Sequence, residues 1–382
     1  MKYAFRKKRY AMLATAVDAT GGVWKRARRV RPFPVSPKKT LLVRLDQLGD
    51  ILGATALPQV IKENFSRTEV HFLTNPTGEA LLANNPFVDR VWVFDPDWFH
   101  RRKHGSRAGM KYGQLVHALR REKIDLAFSL RGDVRENLLL RQAGIGCSLG
   151  YGITGGGFLL DREVPFAVDV HESRHTLDLL TFAGVAVRQN LVPKIYFSEE
   201  EERRFGEELR RWGIQRGRWT GVQADAGTES KEWPLDNLER FIRLCETEWP
   251  AAPIVFLGSD PRRAAWLERR LAEQPAANRL SLVGKTDLRQ LFYLIRSLRV
   301  FVGPDSGPTH VAAAFDHPTL FLASGTNVFE HWKPLSERAE SLSHAVPCSP
   351  CRLLRCPING HPCMSGIQPE QVLAWLKERV HG

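Results

Sequence analysis

No run of about 18 apolar residues occurs in this 382-residue chain, so nothing in the sequence reads as a helix that spans a bilayer. Cysteine is scarce: of six, Cys147 and Cys245 stand apart and four crowd near the C-terminus. With no convincing secretory signal ahead of thiols placed this way, the expected compartment is a reducing cytoplasm. No G-x-x-x-x-G-K-[ST] is present, which removes the P-loop. Basic patches interleaved with aromatics are missing from the body of the chain, so nucleic acid is not expected as a partner. Net charge is missing from that body too. The formal charge is +13, yet residues 1–39 alone hold twelve Lys or Arg against one acid, Asp18, a net of +11.

What is present is an ordinary globular composition, 43% apolar and 25% charged, over a length that suits two domains of roughly 150 to 200 residues. Between its two basic clusters the leader reads YAMLATAVDATGGVW, too short and too broken by Asp18 and two glycines for a signal-peptide core. A basic segment carrying Tyr10, Met12, Leu13 and Trp24 suits an anionic membrane surface, at about 1 kcal/mol per Lys or Arg near the lipid. A disordered, solubilising tail is the other reading, and both stay open.

From residue 40 the pattern alternates between short β-branched runs and amphipathic stretches. Strands are expected at 40–45, 69–75, 90–95 and 124–130, with one helix over 51–65 despite Pro58 and another over 112–123. A second alternation follows, with strands at 220–226, 253–259, 280–284, 299–303 and 319–323 and helices between them. Such alternation predicts βαβ units and a parallel sheet covered on both faces. The expected organisation is a basic leader over 1–39, a Rossmann-like domain over 40–190, a linker with a helix over 191–217, and a second Rossmann-like domain over 218–382. The one G-x-G-x-x-G, at Gly150, Gly152 and Gly155, follows no strong strand and precedes no helix, so it reads as a flexible loop.

In open α/β sheets ligands bind beyond the carboxyl ends of the strands, and the informative residues sit there. Gly49-Asp50 lies where the first strand turns into a helix, so Asp50 reads as a helix cap or as a base. Asp305, Ser306, Gly307, Thr309 and His310 feed a helix N-terminus after strand 299–303. Free N–H groups and the helix dipole suit an anion there, and Gly307 lets a phosphate come close; a plain N-cap is the alternative. Lys231, in GTESKEWP, follows strand 220–226 and suits a diphosphate or is a solvated lysine. Asp260 accepts from a ribose hydroxyl or caps the helix after it.

Taken in order, strand-GD-helix, LRGDVREN, NNPFVDRVWVFD, SKEWP, GPDSGPTHVAAAF and a C-terminal C-x-x-C cluster resemble glycosyltransferase family 9, the lipopolysaccharide heptosyltransferases, from about residue 40 to the end. The resemblance implies a GT-B architecture, two Rossmann-like parallel-sheet domains facing a central cleft. It implies transfer of heptose from ADP-heptose to a lipid A–core acceptor, inverting the anomeric centre, with no cofactor required for catalysis. The enzyme would then be cytoplasmic and peripheral to the inner membrane. By position Asp50 matches the family's catalytic base, kept ionised by the helix dipole, with Gly49 giving the acceptor room. Lys231 matches the phosphate-contacting lysine. Asp305, Ser306, Gly307 and His310 match the D-[ST]-G-x-x-H donor motif, which encloses Thr309, and Asp260 corresponds more loosely to the ribose-binding acid. After strand 319–323 the chain reads ASGTNVFEHWKP, where a Gly-Pro-Thr-like turn is expected. In the more divergent acceptor half, Arg101, Arg102, Lys103, Arg131 and Arg135 contact acceptor phosphates or carboxylates or are surface cations.

Cys348, Cys351, Cys356 and Cys363 follow C-x2-C-x4-C-x6-C with His361 nearby. Four thiolates within sixteen residues suit a structural zinc or an iron–sulfur cluster; free or paired thiols are the alternative. Two rival functions keep the fold: a UDP-N-acetylglucosamine 2-epimerase-like enzyme, and a non-catalytic membrane-bound scaffold.

Overall fold

The computed structural model describes residues 8–27, 30–96, 110–187, 191–334 and 336–381. The chain divides into two units, one ending at Tyr196 and the other starting at Phe197. The first holds β1 (Lys39–Val43), β2 (Glu69–Thr74), β3 (Arg90–Val93), β4 (Leu126–Ser129), β5 (Cys147–Gly150) and β6 (Arg162–Glu163). The second holds β7 (Thr220–Gln223), β8 (Ile254–Leu257), β9 (Arg279–Ser281), β10 (Val300–Pro304), β11 (Thr319–Ala323) and β12 (Ala339–Ser343). The sheet orders are β3-β2-β1-β4-β5-β6 and β12-β11-β10-β7-β8-β9, with every pair parallel. Counted from its own first strand, each sheet is 3-2-1-4-5-6, the dinucleotide-fold order.

Unbroken apolar strands form here because both sheet faces are covered. Leu42 of β1 joins Phe72, Phe128 and Leu149 in one core cluster, while Leu41 and Val43 join Leu73 and Ala127 in another. In the second unit Val222, Ile254, Phe256, Val302 and Leu322 pack against Val372, Leu373 and Leu376 of the C-terminal helix (Pro369–His381). Each such side chain contributes roughly 1.5–3 kcal/mol by burial.

Several elements depart from the sequence reading. The helix expected over 51–65 is two helices, Leu48–Ala54 and Leu57–Asn64, broken at Thr55 and Ala56. Pro58 lacks the N–H a continuous helix needs and sits instead in the first turn of the second one. Gly150 ends β5, so the Gly-rich loop does follow a strand, a four-residue one that is easy to miss; it runs into a 3-10 turn, Gly157–Leu159, as no nucleotide fingerprint does. Residues 8–27 of the leader form a helix (Lys8–Ala27) that docks on this loop. Within the stretch read as a linker, the helix Glu199–Arg211 has its own Ser198/Glu201 capping box. It is tied into the second unit through Arg289–Glu201 at 2.7 Å and Tyr293 Oη to Glu202 at 2.9 Å.

Candidate active site

In each sheet the strand order reverses between the first and fourth strands, and the chain ends leaving those strands carry the predicted residues. In the first unit β1 and β4 pair with Val43 beside Ser129. Beyond β1 come Arg44, Asp46 and Asp50; beyond β4 come Arg131, Asp133 and Glu136. The helix after β1 has Gln47 as its N-cap, with no side-chain capping bond, and Asp50 lies in its first turn. Asp50 is therefore not a cap, and Gly49 is half-buried beside it.

Arg44 is the buried hub of this cluster. Its Nε donates to Asp46 at 2.7 Å, its Nη1 to the Leu130 carbonyl at 3.3 Å, and its Nη2 to Glu172 at 3.0 Å. The same Nη2 lies 3.2 Å from Asp50 Oδ1, an ion-pair distance without hydrogen-bond alignment. Arg131 Nη1 donates to the other oxygen of Asp46 at 2.9 Å. Asp50 is 11% exposed. Burial drives its pKa up to about 7, Asp46 adds to the rise, and Arg44 offsets only part of it. The helix dipole was expected to keep Asp50 ionised; desolvation and a like charge outweigh the few tenths of a kcal/mol to 1 kcal/mol a dipole supplies. Glu172 goes the other way. Burial opposes it, but the His175 hydrogen bond and Arg44 hold its pKa down to about 2.

Among the predicted acceptor residues, Arg131 is part of this network. Arg135 turns back on Asp133, the N-cap of the helix Val134–Ala143, at 2.7 Å. Arg101, Arg102 and Lys103 lie outside the described residues.

In the second unit the reversal falls between β7 and β10. Lys231, in a 3-10 turn (Glu229–Lys231) after β7, is 13% exposed, and its Nζ lies 2.5 Å from Asp305 Oδ2. It is no freely solvated lysine. Asn327 Nδ2 donates to the same oxygen at 3.0 Å, and His310 Nε2 stands 3.4 Å from the other. Burial would raise the Asp305 pKa, but the His310 hydrogen bond and the Lys231 charge hold it far below the carboxylate range. Asp305 thus gathers three donors that face one place. Ser306 is the N-cap of the helix Gly307–Ala314 without a capping bond of its own. Its hydroxyl pairs with Thr309, whose Oγ1 donates to the Pro304 carbonyl at 2.7 Å. A hollow lined by Asp305, Phe321, Ala323, Ser324, Asn327 and Trp332 opens here. Asp260 stands apart from this group. It caps the helix Pro261–Glu273 through Arg262 N at 2.8 Å and pairs with the Arg262 guanidinium at 2.9 Å. The Arg262 hydrogen bond brings its pKa down to about 2, and a ribose hydroxyl would have to displace that arginine.

The four C-terminal cysteines range from exposed Cys348 to buried Cys363. Among the described residues no three His, Cys, Asp or Glu side chains stand close enough together to ligate a metal ion as they are placed, although burial raises the Cys363 pKa and Cys356, Cys348 and Cys351 lie near enough to add to the rise. The segment is held by its own polar groups. Leu353 and Leu354 carbonyls accept from Ser230 Oγ at 2.5 Å and Ser230 N at 3.2 Å, and His361 Nε2 donates to the Ser230 carbonyl at 3.1 Å. Cys351 N and Arg352 N donate to the Gly325 and Thr326 carbonyls. The segment clasps the turns carrying Lys231 and Asn327.

Sequence reasoning missed Arg44, Asp46, Glu136 and Asp225. Glu136 is buried, and burial lifts its pKa to about 8 with Asp46 adding to the rise. Its signal was a lone acid on an apolar helix face, in VRENLLL. Asp225 accepts from Ser259 N and Asp260 N at 2.5 and 2.6 Å and so shapes the turn after β8. Gly258 is required there, because its φ is +152° and a Cβ would stand 2.9 Å from that carboxylate.

Comparison with known proteins bears on what these clusters do. The model of Glycosyltransferase family 9 (heptosyltransferase) matches residues 112–361. The chain is 20% identical over 313 residues to Lipopolysaccharide heptosyltransferase 1 of Campylobacter coli, covering 75% of this chain and 84% of that one. It is 22% identical to Lipopolysaccharide core heptosyltransferase OpsX of Haemophilus influenzae, covering 76% and 80%. A solved structure of the E. coli ADP-heptose lps heptosyltransferase II superposes with a TM-score of 0.68 at 20% identity, over 90% of this chain and 98% of that one. The fold is accordingly α/β of the GT-B class. These relatives are transferases, and the epimerase and scaffold readings are not favoured.

Proposed function

We propose that this chain, which belongs to glycosyltransferase family 9, transfers heptose from ADP-heptose to a lipid A–core oligosaccharide, inverting the anomeric centre and requiring no metal. One observation carries the reading: a carboxylate at the carboxyl end of the central strand of the first sheet, with its pKa raised to about 7, which suits a general base at neutral pH. In the step, the acceptor hydroxyl oxygen bonds to the anomeric carbon as the bond from that carbon to the ADP oxygen breaks. The hydroxyl proton passes to Asp50, and the electron pair leaves on the diphosphate. Arg44 keeps Asp50 in place at 3.2 Å without a hydrogen bond on that oxygen, so the carboxylate keeps its basicity.

The leaving diphosphate is met by Lys231, His310 and the first-turn N–H groups of the helix Gly307–Ala314, with Ser306 and Thr309 at its start. Asp305 acts by positioning Lys231 and His310. Arg131 extends from the Asp46 network toward acceptor phosphates. The donor and acceptor are those of the similar proteins, the E. coli ADP-heptose lps heptosyltransferase II and the lipopolysaccharide core heptosyltransferase OpsX. A lipid-linked acceptor implies work at the cytoplasmic face of the inner membrane.

The test is turnover of ADP-heptose with a truncated core acceptor. Asp50→Asn is expected to lower kcat by about 10²-fold or more while leaving donor affinity unchanged. Full activity of that variant removes Asp50 as the base. A thermal-shift comparison of ADP-, UDP- and GDP-sugars that showed selective stabilisation only by a UDP-sugar would overturn the donor.

A further inference from the structure

The leader helix Lys8–Ala27 has two opposed faces. Ala14, Asp18, Gly21 and Lys25 fall within an arc of about 60° at 100° per residue, and this is the docked side. Ala14 is buried, and Asp18 Oδ1 accepts from Gly156 N at 2.7 Å. A Cβ on Gly21 would stand 2.4 Å from the Phe158 ring, and Lys25 Nζ reaches the Gly157 carbonyl at 3.5 Å. The Gly-rich loop after β5 is thus a socket for this helix. Gly156, at φ +76°, presents the N–H that Asp18 takes.

The opposite side is an apolar arc of about 140° running through Met12, Val23, Ala16, Thr20, Leu13 and Val17. Met12 is 73%, Val23 67%, Leu13 61% and Val17 45% exposed. Trp24 lies within the arc, between Leu13 and Val17, and stands edge-on to Phe158 with centroids 6.2 Å apart. Basic side chains bracket the arc along the chain: Arg9 on its centre line in the first turn, Arg26 beside it in the last turn, and more on either side in sequence. Asp18 is the only acid in residues 1–39, and it is turned onto the loop. An apolar face flanked by cations, with its single anion placed on the far side, is the pattern of a helix that lies in a lipid interface.

We infer that this helix is a docked amphipathic anchor whose exposed face inserts into an anionic lipid surface. Charge decides the occupant: a net of +11 in the leader would repel a second copy of itself, and anionic headgroups attract it. Unlike a flexible tail, a docked helix fixes the orientation of the first unit on the membrane. The inference rests on the transferase reading for its purpose, a lipid-linked acceptor, and on the helix alone for its physics.

The test uses the full chain in sedimentation with vesicles of phosphatidylethanolamine and phosphatidylglycerol, against phosphatidylcholine alone. Wild type is expected to pellet with the anionic vesicles and to be released as salt rises from about 0.1 to 0.5 M. L13D/V17D is expected to lose at least about tenfold in partition, and L13S/V17S, which leaves the docked face untouched, severalfold. Turnover of a delipidated, water-soluble acceptor should be the same in all three. Equal pelleting of wild type and both variants overturns the anchor. So does equal binding to phosphatidylcholine, or a wild-type dimer that the variants break while none of the proteins binds vesicles. Vesicle binding without ADP-heptose turnover would defeat the transferase reading and leave the anchor standing.

Discussion

Asp50 is governed by two opposed influences, and the balance predicts its titration. Desolvation and Asp46 outweigh Arg44, so the ionised form becomes the major one only above about pH 7. A base works ionised, so kcat/KM for the acceptor is expected to rise with pH and level off above about 7. A profile flat from mildly acidic to mildly basic pH would separate Asp50 from the proton transfer. At Lys231 the prediction concerns the donor. Lys231→Ala removes the cation and leaves Asp305 buried without its closest partner. ADP-sugar affinity should fall by roughly thirtyfold or more, on the scale of about 2 kcal/mol for a buried charge pair cut on one side. Unchanged affinity by calorimetry would refute the role. Asp50, Lys231 and Asp305 were legible in the sequence because each follows a strand with β-branched alternation. Arg44 and Glu136 were not, since one reads as the tail of a strand and the other as part of an apolar helix. Their meaning depends on β1 and β4 lying side by side, which no local pattern states.

The Cys-rich segment behaves as an element in its own right although it contains little regular structure. It engages the N–H, carbonyl and hydroxyl of Ser230, beside Lys231, and the carbonyls of Gly325 and Thr326, beside Asn327. Both neighbours bind Asp305 Oδ2. Ser230→Ala should therefore cost about 1 kcal/mol of stability and raise donor KM severalfold with kcat little changed; Ser230→Thr should restore part of the loss if the hydroxyl is what matters. A fall in kcat at constant KM would show that the clasp does not position the donor site. Elements of this kind escape sequence reading because backbone carbonyls do the binding. β5, β6 and β12 escaped for a related reason. They are short, or in the case of β12 half exposed, so neither apolar run nor alternation marks them. The central strands of both sheets were legible because burial on two faces forces long apolar runs.

At the scale of the whole chain, the first unit holds raised carboxylates beside lowered ones such as Glu172 and Asp133, whereas Asp260 and Asp305 of the second unit are both lowered. The first unit buries Asp50 and Glu136 with pKa values raised to about 7 and about 8; burial would lower His175, but its hydrogen bonds to Glu172 and the Ala167 carbonyl raise it. The folded form of each binds a proton more tightly than the unfolded chain does, so through these three groups lowering pH from 8 toward about 4.5 stabilises this unit, against the smaller opposing share of His71, whose pKa burial lowers. The second unit lowers Asp305, and Asp260 to about 2. Their contribution is present above the unfolded carboxylate range and lost as pH falls below about 4. Amide exchange read on β1 and β4 should slow between pH 8 and pH 5, after correction for intrinsic rates, while β7 and β10, whose unit holds His317 and His361 below the ordinary histidine value by burial, should not slow over the same range. Glu136→Gln isolates the cause. The amide fills the same space between Ser129 and the Asp46 network without a charge, so the variant should be more stable than wild type at pH 8 in its first unit. The gap should close as pH falls to about 4.5 and below, where wild-type Glu136 is protonated in the fold and becomes so in the unfolded chain. A variant less stable than wild type at pH 8 would mean that Glu136 is ionised and paired in the fold, and that the raised carboxylates of the first unit are not the source of its response to pH.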